Sequence, residues 1–165
     1  MIFVSVGTQL TFDRLITAVD EWAGRAGGRE VFAQIGPTQL RPRHIEYAPF
    51  VSPDECRDRM LTAKAVVAHA GMGTIITALE MGKPLLVMPR RAALGEHRND
   101  HQLATAHRFA ELGRVKVAFD ESELPLRLDE LDRIAAQPPI SPYASDEFVA
   151  ALREFIAGPQ AAVAG

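Results

Sequence analysis

The sequence predicts an α/β domain: a single doubly wound, Rossmann-like parallel sheet with helices on both faces. Three observations predict it. Short β-branched, aliphatic or aromatic runs alternate with helical patterns along most of the chain. Those runs are continuously apolar, which suits strands buried on both faces. Glycine-bearing turns directly follow two of them, where open α/β sheets bind ligands.

The elements follow in order. Ile2–Val6 reads as a strand, and Phe12–Ala26 as a helix with Leu15, Ile16, Val19 and Trp22 at core-facing spacing. Glu30–Ile35 is the second strand. Ser52-Pro53-Asp54-Glu55 offers a cap, a first-turn proline and acids near the positive helix end, which predicts a helix over Asp54–Ala63. Ala65–Ala68 is a strand, and Thr74–Met81 a helix that Gly82-Lys83-Pro84 stops. Leu85–Met88, Asn99–Leu112 and Val115–Phe119 continue as strand, helix and strand, joined by right-handed crossovers. Asp129–Ala135 and Ser145–Ile156, parted by Pro138-Pro139, read as two more helices. Residues 1–157 form the domain and residues 158–165, small and apolar, a flexible tail.

Composition bounds the function. A chain of 165 residues is one domain at ~100–200 residues per domain. Its 47% apolar and 24% charged residues are those of a globular protein, not a disordered or collagen-like one. A net charge of −3 without a long basic run argues against nucleic-acid binding. Cys56 stands alone, which excludes a disulfide framework and a thiolate zinc cluster. The chain shows neither a basic leader with a long apolar run nor a ~20-residue apolar span, so a cytoplasmic domain is expected. Membrane contact would then come from a partner.

Three segments could carry chemistry. Val6-Gly7-Thr8-Gln9 follows the first strand. His69-Ala70-Gly71-Met72-Gly73-Thr74 joins a strand to a helix, where glycines let backbone N–H groups approach an anion at the helix start. A tight structural turn explains the same glycines, and Thr74 either reaches a phosphate or caps its helix. No lysine follows the second glycine, so this is not a Walker loop. The third segment, Gly95-Glu96-His97-Arg98-Asn99-Asp100-His101-Gln102, crowds polar groups at a helix entrance. His97 and His101 have the spacing to share a metal, but no third ligand matches it, and no metal is expected. A solvated helix cap and recognition of sugar hydroxyls are the other readings.

Taken together, Phe3-Val4-Ser5-Val6-Gly7-Thr8, Phe12-Asp13-Arg14-Leu15-Ile16, the His69–Thr74 turn, Leu79-Glu80-Met81-Gly82-Lys83-Pro84 and His101-Gln102 resemble one family. They resemble the small sugar-nucleotide-binding subunits of split glycosyltransferases, similar to the C-terminal half of MurG-like, family 28, GT-B enzymes. The run from Met88-Pro89-Arg90-Arg91 to His101-Gln102 resembles the PssE type of exopolysaccharide assembly more than the eukaryotic N-acetylglucosaminyltransferase subunit.

The resemblance implies roles position by position. Gly7, Thr8, His69, Gly71, Gly73 and Thr74 would hold the donor diphosphate, and Phe50 and Val51 the base unless they only fill the core. His101 and Gln102 would read donor-sugar hydroxyls. Arg90 and Arg91 would lie at the sugar end, where paired guanidiniums suit a glucuronate carboxylate, an acceptor phosphate or plain solvent. In many relatives an acid eight positions after the histidine holds the ribose. Here Thr77 stands there, with Glu80 one turn on, and a hydroxyl cannot make a carboxylate's two charge-assisted bonds.

The implied reaction is inverting transfer from a UDP-sugar, needing neither metal nor cofactor, to a lipid-diphosphate-linked saccharide. Only half of a two-domain cleft is present. The catalytic base, the acceptor site and the membrane anchor are therefore expected on a PssD-like partner chain, which would hold this one at the inner face of the membrane. A homodimer is left open. The rival readings are a non-catalytic partner of a membrane glycosyltransferase and a free-standing UDP-sugar epimerase or hydrolase.

Overall fold

The computed structural model describes residues 1–27, 29–133 and 138–157. Its chain runs β1 (Ile2–Ser5), α1 (Asp13–Ala26), β2 (Val31–Gln34), β3 (Glu46–Ala48), α2 (Pro53–Thr62), β4 (Ala65–His69), α3 (Met72–Glu80) and β5 (Leu85–Met88). It continues with α4 (His101–Glu111), β6 (Lys116–Val117), α5 (Leu124–Asp129) and α6 (Asp146–Ala157). The six strands form one sheet in the order β3-β2-β1-β4-β5-β6, every pair parallel. This is the doubly wound order. The chain moves outward to β3 and returns to lay β4 beside β1, so the connections leaving those neighbours diverge and open a crevice.

Side-chain alternation along the strands builds two apolar layers. On one face Val4 and Val6 pack with Leu15, Ile16, Val19 and Trp22 of α1 and with Leu124 and Leu128 of α5. On the other, Phe3, Phe32, Val66, Leu85 and Val87 meet Met60 of α2, Ile75, Ala78 and Leu79 of α3 and Ala106 of α4. Every residue of β1, β2 and β5 is buried, as expected of strands covered on both faces. The Gly82-Lys83-Pro84 stop has a second function: Lys83 Nζ donates to the Leu61 and Ala63 carbonyls that α2 leaves unpaired at its end.

Four elements depart from the sequence reading. β3 lacks an apolar run because Glu46 is exposed at the sheet edge, and strand β3 pairs on one side only. α3 starts at Met72, two residues ahead of the expected Thr74, so Thr74 is not its cap. α4 starts at His101 instead of Asn99, because Asp100 Oδ1 accepts from Ala92 N–H and Asn99 Oδ1 from His101 N–H. The helix expected over Asp129–Ala135 lies earlier, at Leu124–Asp129, where Pro125 suits a first turn. A short 3-10 turn, Leu131–Arg133, follows it. Residues 134–137, the end of that expected helix, and the tail at 158–165 lie outside the described residues. α6 matches its expected span but buries none of its residues.

Trp22 joins the packed layers through a polar contact: its indole Nε1–H donates to Asp129 Oδ1 at 2.8 Å, tying α1 to α5. Trp22→Phe removes that bond and part of a side chain only 2% exposed. Urea unfolding followed by far-UV circular dichroism should show a loss of about 1–3 kcal/mol.

Candidate functional site

Outside the carboxyl ends of β1, β4 and β5 lies a cavity of about 790 Å³. The β1 exit contributes Ser5 to Gln9, and the β4–α3 turn contributes His69, Gly71, Gly73, Thr74 and Thr77. Arg90, His97, His101 and Gln102 close the β5–α4 side. Pro53, Asp54, Cys56, Arg57 and Met60 of α2 line the far wall, with Gln34 at the end of β2.

The β4–α3 turn is built to present donors. Gly71 is the N-cap of α3 and no side chain caps that end, so the N–H groups of Met72, Gly73 and Thr74 have no acceptor among the described residues. They point outward from the positive end of the helix macrodipole. A Cβ on Gly73 would meet nothing within 4 Å, so the backbone there is open to an approaching group.

Gly7 and Gly71 are glycines for another reason as well. A Cβ at Gly71 would lie 2.2 Å from His69 Nε2, and one at Gly7 would lie 2.8 Å from His69 Cε1. The imidazole is wedged between the two turns. Gly7 also has φ +76°, a left-handed conformation that a Cβ disfavours. Beneath this wedge, Ser5 Oγ donates to Gln34 Oε1, Gln34 Nε2 donates to Gly7 O and Gly7 N–H donates to Ser5 Oγ.

His69 Nδ1 sits 3.4 Å from Ser5 O and, facing a carbonyl, carries the proton. Its Nε2 then holds a lone pair, able to accept from a hydroxyl; donating to an anion would require the imidazolium. Burial, followed by the nearby Arg90 charge, pushes the His69 pKa down to about 4.

Arg90 is 3% exposed. Its Nη2 donates to Val6 O and Leu10 O, holding the first glycine turn, while its N–H donates to Gln102 Oε1. Its Nε is buried without a partner, and burial pulls the guanidinium below its ordinary value. Arg91 turns away from the cavity and donates to Phe119 O. The two arginines therefore do not form a pair at one end of the site.

The other expected residues divide. Thr8, Thr74, Thr77, His101 and Gln102 line the cavity, though the Thr77 hydroxyl already donates to Gly73 O within its helix. Phe50 is half-exposed, Val51 packs at the edge of the core and Glu80 is exposed; none of the three lines the cavity. His97 and His101 pack edge to face at 4.4 Å, and no group of three metal-ligating side chains occurs among the described residues.

Sequence reasoning missed Ser5, Gln34 and the α2 wall. Ser5 and Gln34 carried a signal: each is a lone polar residue at the end of an otherwise apolar strand. Cys56 on α2 had none; burial raises its thiol pKa, which keeps it protonated and weakly nucleophilic.

Residues 1–148 match the glycosyltransferase family 28 C-terminal domain. The chain belongs to that family. Among relatives of this family 28 domain, the human UDP-N-acetylglucosamine transferase subunit ALG13 is 29% identical over 124 residues, 69% of this chain and 10% of that one. The Eremothecium gossypii subunit of the same name is 36% identical over 81 residues, 47% of this chain and 38% of that one. The chain thus spans well under half the length of either.

Among solved structures, the glycotransferase of kitacinnamycin superposes with a TM-score of 0.62 at 26% identity, covering 83% of this chain and 35% of that one. The solution structure of ALG13 superposes with a TM-score of 0.58 at 19% identity, covering 92% and 93%. The Rossmann-like sheet is therefore half of a GT-B glycosyltransferase fold. Among the described residues, no helix is long and apolar enough to cross a membrane.

The depressed His69 pKa makes stability depend on pH. Between the unfolded value near 6.5 and the folded value near 4, the unfolded chain binds a proton that the native chain refuses. Stability therefore falls as pH drops through that window, by roughly 3 kcal/mol from this group. Urea unfolding at pH 7 and pH 4.5 should show this component of the decline, and His69→Gln should lack it.

Proposed function

We propose that this family 28 domain is the donor-binding subunit of a two-chain inverting glycosyltransferase. It holds a UDP-sugar in the cavity while a second chain supplies the acceptor site and the base. One observation carries the reading: the uncapped α3 N-terminus, with three unpaired N–H groups, opens onto a cavity beside the open backbone of Gly73. A diphosphate suits that end, since the donors and the helix dipole stabilise the charge that develops on the leaving nucleotide without a metal. Arg90 adds a fixed positive charge nearby.

Two observations support a partner. Among the described residues Asp54 is the cavity's one carboxylate, and it stands exposed at the start of α2. Helix α6 leaves Phe148, Leu152, Phe155 and Ile156 uncovered. A membrane-anchored, PssD-like subunit acting on a lipid-diphosphate-linked saccharide would fill both gaps, with this chain recruited to the inner face of the membrane.

The PssE-like run Met88–Gln102 favours a hexose or glucuronate donor in exopolysaccharide assembly. A second reading, an N-acetylglucosamine donor, is supported by the names of the relatives. Against glucuronate, both arginines already bind backbone carbonyls.

Calorimetric titration with UDP, UDP-glucose, UDP-glucuronate and UDP-N-acetylglucosamine tests these readings. Gly73→Ala should keep or gain stability, by up to about 1 kcal/mol, because it adds a better helix former in open space. The same variant should weaken UDP about tenfold or more by keeping the phosphates off the backbone. Gly71→Ala should weaken UDP and cost stability, because His69 must leave its place. Undiminished UDP affinity in Gly73→Ala would overturn the diphosphate assignment, and no nucleotide binding with the partner present would favour a non-catalytic scaffold.

A further inference from the structure

Outside the cavity, a charged cluster joins α1 to the loop that carries the histidines. Arg14 Nε and Nη2 each lie 2.8 Å from a different Glu96 oxygen, a two-pronged fork. Both side chains are only 12% exposed, so water screens this contact little. Arg14 Nη2 also donates to Pro89 O at 3.1 Å, and Nη1 pairs with the more exposed Glu121 at 2.8 Å. Glu96 Oε2 accepts in addition the Arg91 N–H at 2.9 Å, while Glu96 N–H donates to Arg91 O.

The carboxylate thus closes the Arg91–Glu96 turn on itself and pins it to the first turn of α1. His97 follows directly, and neither Arg14 nor Glu96 lines the cavity. We propose that Arg14 and Glu96 are positioning residues that set where the β5–α4 loop places His97 and His101, and thereby govern recognition of the donor sugar but not of UDP. This rests on the donor-site reading above, which puts the diphosphate at α3 and the sugar beside this loop.

The geometry favours a local effect. Asp100 Oδ1 still accepts from Ala92 N–H, and Gln102 still binds Arg90 N–H, so the loop keeps its other anchors when the fork is lost. Among the described residues, no hydrogen bond or ion pair joins the α3 end to the cluster. Loss of the fork should then let His97 shift against a rigid phosphate end, as supporting residues behind a site do when removed.

The test uses Glu96→Gln and Arg14→Lys, with Glu121→Gln as the control that leaves the fork intact. The gain in affinity of the preferred UDP-sugar over UDP should fall about tenfold in both fork variants, with UDP itself unchanged and the control like the parent chain. A ligand-free measurement runs beside it: amide exchange at Arg91 should speed up in Glu96→Gln and not in Glu121→Gln. Equal losses for UDP and UDP-sugar, or no change in either, would overturn the proposal, as would unchanged Arg91 exchange. A parent chain that binds no nucleotide would overturn the donor-site reading and the sugar consequence, while exchange still decides whether the fork holds the loop. Should Glu96→Gln fail to fold, Arg14→Lys, which keeps the charge but cannot fork, carries the affinity test.

Discussion

Parallel pairing of β1 with β4 sets Ser5 opposite Ala68, so the next residue of β4, His69, lies over the end of β1 with its ring between Gly7 and Gly71. That wedge constrains everything around it. Neither Gly7 nor Gly71 can carry a Cβ without moving the ring, and the ring keeps Nδ1 satisfied only by staying near Ser5 O. Burial and the Arg90 charge keep it neutral. Two turns from distant parts of the chain are thereby locked into one surface. The N-terminus of α3 is held at a fixed distance from the β1 exit before any ligand arrives, and such preorganisation is where electrostatic stabilisation draws its strength.

The cations near the site act first as braces. Strand exits leave carbonyls without sheet partners, and a buried carbonyl needs a donor. Arg90 serves Val6 and Leu10, Arg91 serves Phe119, and Arg14 serves Pro89. Guanidiniums suit this because their donors fan out in a rigid plane. Arg90 gains a second property from the same bonds. Held at 3% exposure, its charge acts through a medium of lower dielectric than water, so it contributes to the potential of the cavity without swinging toward a ligand.

Most of the fold was legible because buried parallel strands must be apolar throughout, and Ile2–Ser5, Val31–Gln34, Ala65–His69 and Leu85–Met88 are nearly so. Where burial fails, so does the signal: Glu46-Tyr47-Ala48 is an edge strand and reads as loop. The glycine turns were legible as places, because their position after strands is a matter of sequence. Their neighbours were not. That Gly7 and Gly71 face one imidazole, or that Arg14 reaches Glu96, depends on contacts 62 and 82 positions apart, which no local pattern encodes. Arg90 and Arg91 show the same limit. Adjacent in sequence, they looked like a pair, yet their side chains diverge to different carbonyls.

These constraints divide the site into two ends of different character. At α3 the donors are backbone N–H groups, fixed by the helix and by the His69 wedge and not by the rotamer of any side chain that bears them. At the β5–α4 loop the donors and acceptors are the side chains of His97, His101 and Gln102, held in place by ion pairs and caps that lie behind them. On the donor reading, the first end meets what all nucleotide diphosphates share, and the second meets what distinguishes one sugar from another. A family that keeps its nucleotide while changing its sugar would vary the loop and its anchors and leave the α3 turn alone. On that reading the Met88–Gln102 run, with the Arg14–Glu96 fork behind it, is where this chain would tell one donor sugar from another.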